Sequence, residues 1–146
     1  MNLVYLWLGS NLSNPLRQLN QAIEALHALP RSLFVSHTTI TRTNPWGGVR
    51  AQPDYYNSIA VLLTALPPKD LLFYCQRIEL SQGRIRRVRW GARTLDIDIL
   101  IYEKQKIHSN QLVLPHPQIQ SRDFVLNPLR EICPNYILKL NHRNLY

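Results

Sequence analysis

Cysteine is scarce in this chain, with only Cys75 and Cys133 among 146 residues. The two do not form a Cys-x-x-Cys pair, and each sits among apolar neighbours. Two buried free thiols in a reducing compartment are therefore expected, with a disulfide as the lesser alternative. The five histidines are scattered and unpaired with cysteine, which excludes a zinc site of the usual spacing. Long apolar runs are also missing. Leu3 to Leu8 and Ile59 to Leu66 are both too short to span a bilayer, and no basic leader precedes the first of them. No unit recurs at a fixed period. These absences lead to the expectation of a soluble, cytoplasmic protein with no membrane partner.

Acidic residues are few as well. Nine Asp and Glu face seventeen Lys and Arg, for a net charge of +8, and thirteen of the seventeen are arginine. The guanidinium fork pairs bidentately with phosphate and carboxylate oxygens, so the surplus fits a phosphate-rich partner. On charge alone, a merely solvated basic surface fits equally well. Hydrophobic residues make up 45% of the chain. That is the level of a globular protein, and the length suits a single domain over residues 1–146.

Leu3 to Leu8 reads as a buried strand that stops in a turn at Gly9-Ser10-Asn11. Asn14-Pro15 has the form of a helix N-cap with proline in the first turn. Leu16, Leu19, Ile23 and Leu26 supply one apolar face, ending before Pro30. Leu33 to Thr43 and Tyr55 to Leu63 read as strands around a loop rich in proline and glycine, which predicts an antiparallel pair. Pro67-Pro68 opens a second helix, with Leu71, Cys75 and Ile78 inward and Gly83 at its end. Thr94 to Tyr102 reads as a strand with Leu95, Ile97, Ile99 and Ile101 on one face. Leu112 to Pro117 is a short extended piece, and a last helix is expected to start near Ser121 or Asn127-Pro128. The order strand, helix, strand, strand, helix, strand predicts an α+β fold: a ferredoxin-like antiparallel sheet with helices packed on it, on a βαββαβ core.

Residues two apart on a strand share a face, so Asp96 and Asp98 project together, away from Leu95, Ile97 and Ile99. Adjacent carboxylates repel unless a cation lies between them. Magnesium suits such a pair, because it takes oxygen ligands and is held by one or two carboxylates plus substrate phosphates. By itself Asp-x-Asp is more often a solvated strand face. The preceding segment alters that balance, because Arg84, Arg86, Arg87, Arg89 and Arg93 fall within ten residues, around Trp90-Gly91. Such a loop is able to close on a polyphosphate and neutralise the charge that moves between oxygens during transfer. A nucleic-acid grip is the competing reading. Confinement of the charge to one loop, the acidic pair beside it and the lack of an aromatic-and-glycine strand motif count against a nucleic-acid partner.

Trp90-Gly91-Ala92-Arg93-Thr94-Leu95-Asp96-Ile97-Asp98-Ile99-Leu100 closely resembles the signature of the 6-hydroxymethyl-7,8-dihydropterin pyrophosphokinases. Leu8-Gly9-Ser10-Asn11-Leu12, Gln52-Pro53-Asp54-Tyr55-Tyr56-Asn57, Gln76-Arg77-Ile78-Glu79 with Gly83-Arg84, Pro115-His116-Pro117 and Arg122-Asp123-Phe124 resemble further family segments in the same order. The resemblance implies transfer of pyrophosphate from ATP, as co-substrate, to the hydroxymethyl group of the dihydropterin, with release of AMP and with two magnesium ions. It implies Asp96 and Asp98 as metal ligands, and Arg84, Arg93 and Trp90 as residues that act on the transferring phosphates or close the site. Gln76, Glu79, Arg84, Arg89, Arg93, His116 and Arg122 are implied for the ATP side. Thr43, Asn44, Trp46, Tyr55, Asn57 and Phe124 are implied for the pterin side. Pro117 stands where the family also uses an aromatic residue. A monomer is expected.

Overall fold

The computed structural model describes residues 1–43, 53–83, 94–119 and 123–133, with only the backbone of 123 and 124. Its first strand, β1 (Asn2–Ser10), runs two residues beyond the apolar stretch, so Gly9 and Ser10 belong to the sheet and the turn begins at Asn11. Helix α1 (Pro15–His27) starts at the expected cap, where Asn14 is left-handed and its side chain accepts from the Arg17 amide. Strand β4 (Tyr55–Thr64), helix α2 (Pro68–Ser81) and strand β5 (Asp96–Tyr102) lie where the sequence pattern puts them. Gly83, at φ +80°, ends α2 in a conformation that side chains disfavour.

The segment read as one strand from Leu33 to Thr43 is two, β2 (Ser32–His37) and β3 (Thr41–Thr43). Thr38 explains the break. Its amide bonds the Ile59 carbonyl, and its hydroxyl oxygen accepts from the Ile59 amide, so its side chain replaces a ladder partner.

The main sheet is antiparallel throughout, in the order β2-β4-β1-β5, with β3 also paired to β4. One face carries Val4, Leu6, Leu8, Ala60, Leu62, Leu95, Ile97 and Ile99 against Leu19, Ala22 and Leu26 of α1 and Leu71, Cys75 and Ile78 of α2. The other face carries Trp7, Ile59, Leu100 and Ile101 against Val125 and Leu129 of α3 (Asp123–Ile132). Helix α3 starts after Ser121 and carries Pro128 in its interior.

Ile101 therefore departs from the expected alternation. Tyr5 pairs with Ile101 and Leu6 with Ile99, which leaves Leu100 as an extra residue. A bulge of this kind shifts the phase of every later side chain. Ile101 turns to the α3 side, and Tyr102 returns to the α1–α2 side, where its hydroxyl donates to the Leu66 carbonyl. After β5, strands β6 (Ile107–His108) and β7 (Val113–Leu114) form a small hairpin that the sequence reading did not pair. Cys75 is buried, Cys133 is half-buried, and both thiols are free. Among the described residues no helix is long and apolar enough to cross a membrane.

Candidate active site

Strand register brings the candidate residues together on the α3 face of the sheet. Asp96 pairs with Gly9, Gly9 pairs with Asn57, and Asn57 pairs with Thr41, so one row crosses β5, β1, β4 and β3. In the next row Asp98 pairs with Trp7 and Trp7 with Ile59. Paired residues point to the same side, so Asp96, Asp98, Trp7, Asn57 and Tyr55 share one face. Both aspartates are half-buried.

Gly9 is the low point of this face. A Cβ added there would lie 3.3 Å from Asn57 Oδ1 and 3.3 Å from Trp7 Nε1. The missing side chain therefore lets the Asn57 amide and the Trp7 indole close in over Gly9, beside Asp96 in the same row. Asn57 is only 1% exposed, and its Nδ2 donates to Thr43 Oγ1 at 2.7 Å, which fixes the amide's orientation. Thr43 thus acts on the site through its side chain.

The end of β1 fastens both flanks. Ser10 Oγ donates to the Thr94 carbonyl just ahead of Asp96, and Asn11 Nδ2 donates to the Pro53 carbonyl at 2.9 Å just ahead of Tyr55. Arg42 Nε and Asp54 Oδ2 form an ion pair at 2.8 Å between β3 and the start of β4. Thr94 Oγ1 is buried and has no hydrogen-bond partner among the described residues.

His116 lies along the outer edge of β5, beside Asp98. Its amide donates to the Leu100 carbonyl at 2.8 Å, and its Nδ1 accepts from the Gln118 amide at 3.2 Å. With Nδ1 accepting, the proton of the neutral ring sits on Nε2. His116, Asp98, Trp7 and Gln118 line one small cavity, with Leu100, Ile119 and Val125 behind them.

On α2 the matched residues part. Gln76 is exposed, whereas Glu79 is buried and its Oε2 accepts from the Ile97 amide, between the two aspartates, at 3.0 Å. Burial pushes the Cys75 thiol well above its ordinary range, and the negative charges of Glu79 and Asp98 add to the shift. Burial also raises the Tyr5 phenol, with a hydrogen bond to the Cys133 side chain as the next cause.

Trp7, Gly9, Ser10 and Asn11 gain roles that sequence reasoning did not assign. The signal was the period of two along β1, which places Trp7 and Gly9 on the face of the aspartates. Asn44, Trp46, Arg84, Arg89, Trp90, Arg93 and Arg122 lie outside the described residues. For Phe124 only the position at the start of α3 is described. Among the described residues no group of three or more His, Cys, Asp or Glu forms a metal cage. The site instead offers two half-buried carboxylates on one strand face, a donor set that fits an ion completed by water and phosphate oxygens.

A sequence profile of the family described as 7,8-dihydro-6-hydroxymethylpterin-pyrophosphokinase (HPPK) matches residues 5–134. The chain is 42% identical over 134 residues to a 2-amino-4-hydroxy-6-hydroxymethyldihydropteridine pyrophosphokinase of Haemophilus influenzae, covering 92% of this chain and 83% of that one. It is 43% identical over 132 residues to the Pseudomonas aeruginosa protein of the same name, covering 90% and 81%. A solved structure described as HPPK-DHPS in complex with substrates aligns with TM-score 0.68 over 91% of this chain and 40% of that chain. At 14% identity that likeness speaks for the fold alone.

Proposed function

The chain belongs to the 7,8-dihydro-6-hydroxymethylpterin-pyrophosphokinase family, and from that premise we propose how its residues divide the work. The reaction is pyrophosphate transfer from ATP to 6-hydroxymethyl-7,8-dihydropterin, a step of folate biosynthesis. Moving the β- and γ-phosphates as a unit breaks the bond between the α-phosphorus side and the β-phosphorus. The hydroxymethyl oxygen bonds to the β-phosphorus, its proton leaves, and AMP is the second product.

Asp96 and Asp98 would hold magnesium, two ions by the family resemblance. Bound there, it would supply positive charge that offsets the charge of the phosphates. The observation that carries the reading is the row Asp96–Gly9–Asn57, which sets a carboxylate and a fixed amide on either side of a residue without a side chain. A flat heterocycle lies beside this row, with Asn57 on its polar edge and Tyr55 and Phe124 stacking on it. Asn44 and Trp46 add contacts on the same side, and Thr43 holds Asn57.

His116, with its proton on Nε2, points a donor toward the phosphate side. Gln76, Arg89 and Arg122 complete the ATP site. Arg84 and Arg93 stabilise charge on the moving phosphates, and Trp90 helps exclude water. The sheet order β5-β1-β4-β2 with both crossover helices on one face supports the ferredoxin-like plan. A single domain working as a cytoplasmic monomer is the accompanying proposal.

The deciding experiment mixes the chain with magnesium, ATP and the hydroxymethyl dihydropterin and follows the nucleotide product. AMP in equal amount to the pterin diphosphate is expected. ADP in its place, or no nucleotide product, overturns the reading.

A further inference from the structure

Trp7 stands in the middle of the site face with no ligand assigned to it. Its neighbours across the strands are Asp98 of β5 on one side and Ile59 of β4 on the other. At 7% exposed it lies too deep to offer substrate a broad surface. Any part it takes in the reaction therefore runs through the groups packed against it.

The indole leans along β1 toward Gly9. Its Nε1 lies 3.3 Å from the place a Cβ on Gly9 would take, and Asn57 Oδ1 lies 3.3 Å from the same place. The two atoms are thus no more than twice that distance apart. Trp7 also lines a small cavity with Asp98, His116 and Val125. It shares the apolar layer under α3 with Ile59, Leu100 and Leu129. One planar side chain thereby borders Asn57, on the pterin side of the proposed site, and Asp98 and His116, on its metal and phosphate side.

An indole turns about two torsions and is rigid beyond them, so groups packed on it are held at a set separation. Pyrophosphate transfer asks for such a separation. The hydroxymethyl oxygen must face the β-phosphorus at near contact, and a misplacement of about 1 Å costs on the order of 100-fold in rate.

We propose that Trp7 is a positioning residue for the transfer step: its indole, set between Asn57 and Asp98, fixes the spacing of the pterin from the metal-bound phosphates. The proposal rests on the reading of Asn57 as a pterin ligand and Asp98 as a metal ligand. Its mark is a loss of rate at full occupancy, because each substrate binds on its own side whether or not the two sides are in register.

The test compares Trp7→Leu with Trp7→Phe. Leucine keeps an apolar side chain but is too short to reach the space over Gly9. Phenylalanine keeps a rigid ring that extends as many bonds from the backbone as Nε1 does. The intact chain and dihydropterin, both in excess over labelled ATP with magnesium, are quenched within one turnover, which reads AMP formation apart from product release. Calorimetry measures the affinity for an ATP analogue with a methylene bridge between the α- and β-phosphates, and then for the dihydropterin added to that complex. All assays run below the melting temperature recorded for each variant.

Trp7→Leu is expected to melt lower and to react about 10- to 100-fold more slowly in the single turnover, with each affinity within about threefold of the parent's. Trp7→Phe is expected to react within about fivefold of the parent. A parental single-turnover rate in Trp7→Leu overturns the proposal, because the ring then serves the core alone. A loss in Trp7→Phe as large as in Trp7→Leu also overturns it, since the rate then does not follow the reach of the ring. Parental dihydropterin affinity in Asn57→Ala, or parental affinity for the magnesium-bound analogue in Asp98→Ala, refutes the underlying ligand assignments instead. If both of those affinities fall while Trp7→Leu keeps the parental rate, only the role of Trp7 fails.

Discussion

Replacing Gly9 by alanine tests the floor of the site with a single methyl group. Gly9 sits in β1 without a left-handed backbone, so alanine meets no conformational penalty there. Glycine in a strand costs roughly 0.5–1 kcal/mol relative to alanine, so propensity alone predicts a slight gain. The opposing effect is steric. The new carbon would stand 3.3 Å from both Asn57 Oδ1 and Trp7 Nε1, closer than the ~3.5–4.0 Å at which non-bonded atoms rest. Each neighbour must withdraw by a few tenths of an ångström.

Asn57 has little room to do so, because it is buried and held to Thr43 at 2.7 Å. Overpacking of this kind costs about 1–3 kcal/mol, which leaves a net stability loss of about 0–2.5 kcal/mol. The pterin loses more than the fold does. One displaced hydrogen bond is worth about 0.5–1.5 kcal/mol, and the methyl also occupies the surface on which the ring would lie. Together these predict pterin affinity about 10- to 100-fold weaker. ATP affinity should change by less than about twofold, since the phosphate side is untouched. Calorimetric titration of each ligand, with steady-state KM for both substrates, reads the split. Parental pterin affinity in Gly9→Ala would show that the ring does not approach Gly9 and would refute the assignment of the row Asp96–Gly9–Asn57 to the pterin.

Asp96→Ala and Asp98→Ala should each abolish AMP formation while circular dichroism remains that of the parent; full turnover in either sinks the metal assignment. Arg93→Ala should lower kcat by several orders of magnitude with little change in substrate binding, and an effect confined to KM would contradict a role in the transition state. Tyr102→Phe removes the hydroxyl that donates to Leu66 O at 2.6 Å, so a loss of about 1–2 kcal/mol in urea unfolding is expected. Burial raises the folded-state pKa of Cys75 above its unfolded value, so its stabilising contribution is complete below the unfolded value and is lost as pH rises. Stability should therefore fall more steeply above about pH 9 in the parent than in Cys75→Ala, whose slope is the quantity to compare.

The elements that could be read from the sequence are those whose signal is local. The Asn14 cap, the apolar face of α1, the stop at Gly83 and the pairing of Asp96 with Asp98 all follow from residues within one or two turns of each other. The features that escaped depend on distant partners. Thr38 breaks a strand only because Ile59 is across from it, and Leu100 forms a bulge only because Tyr5 and Leu6 set the opposing register. Ile101 was placed on the wrong face for that reason. Ser10 and Asn11 were read as a turn, yet they fasten Thr94 and Pro53, which lie far along the chain. Of the site, the aspartates and Asn57 were legible as residues. The row that joins them through Gly9 was not, because it exists only where three strands lie side by side.

That row has a consequence for how the protein reaches its working state. Asn57, Gly9 and Asp96 come from three stretches of chain and meet only after β4 and β5 have both paired with β1. Helices α1 and α2 close short loops and form early, whereas these pairings must first bear the entropy of long ones. A refolding chain should thus regain helical signal before it regains turnover. Catalysis in this fold is a clock hand that moves only when the last strand has docked.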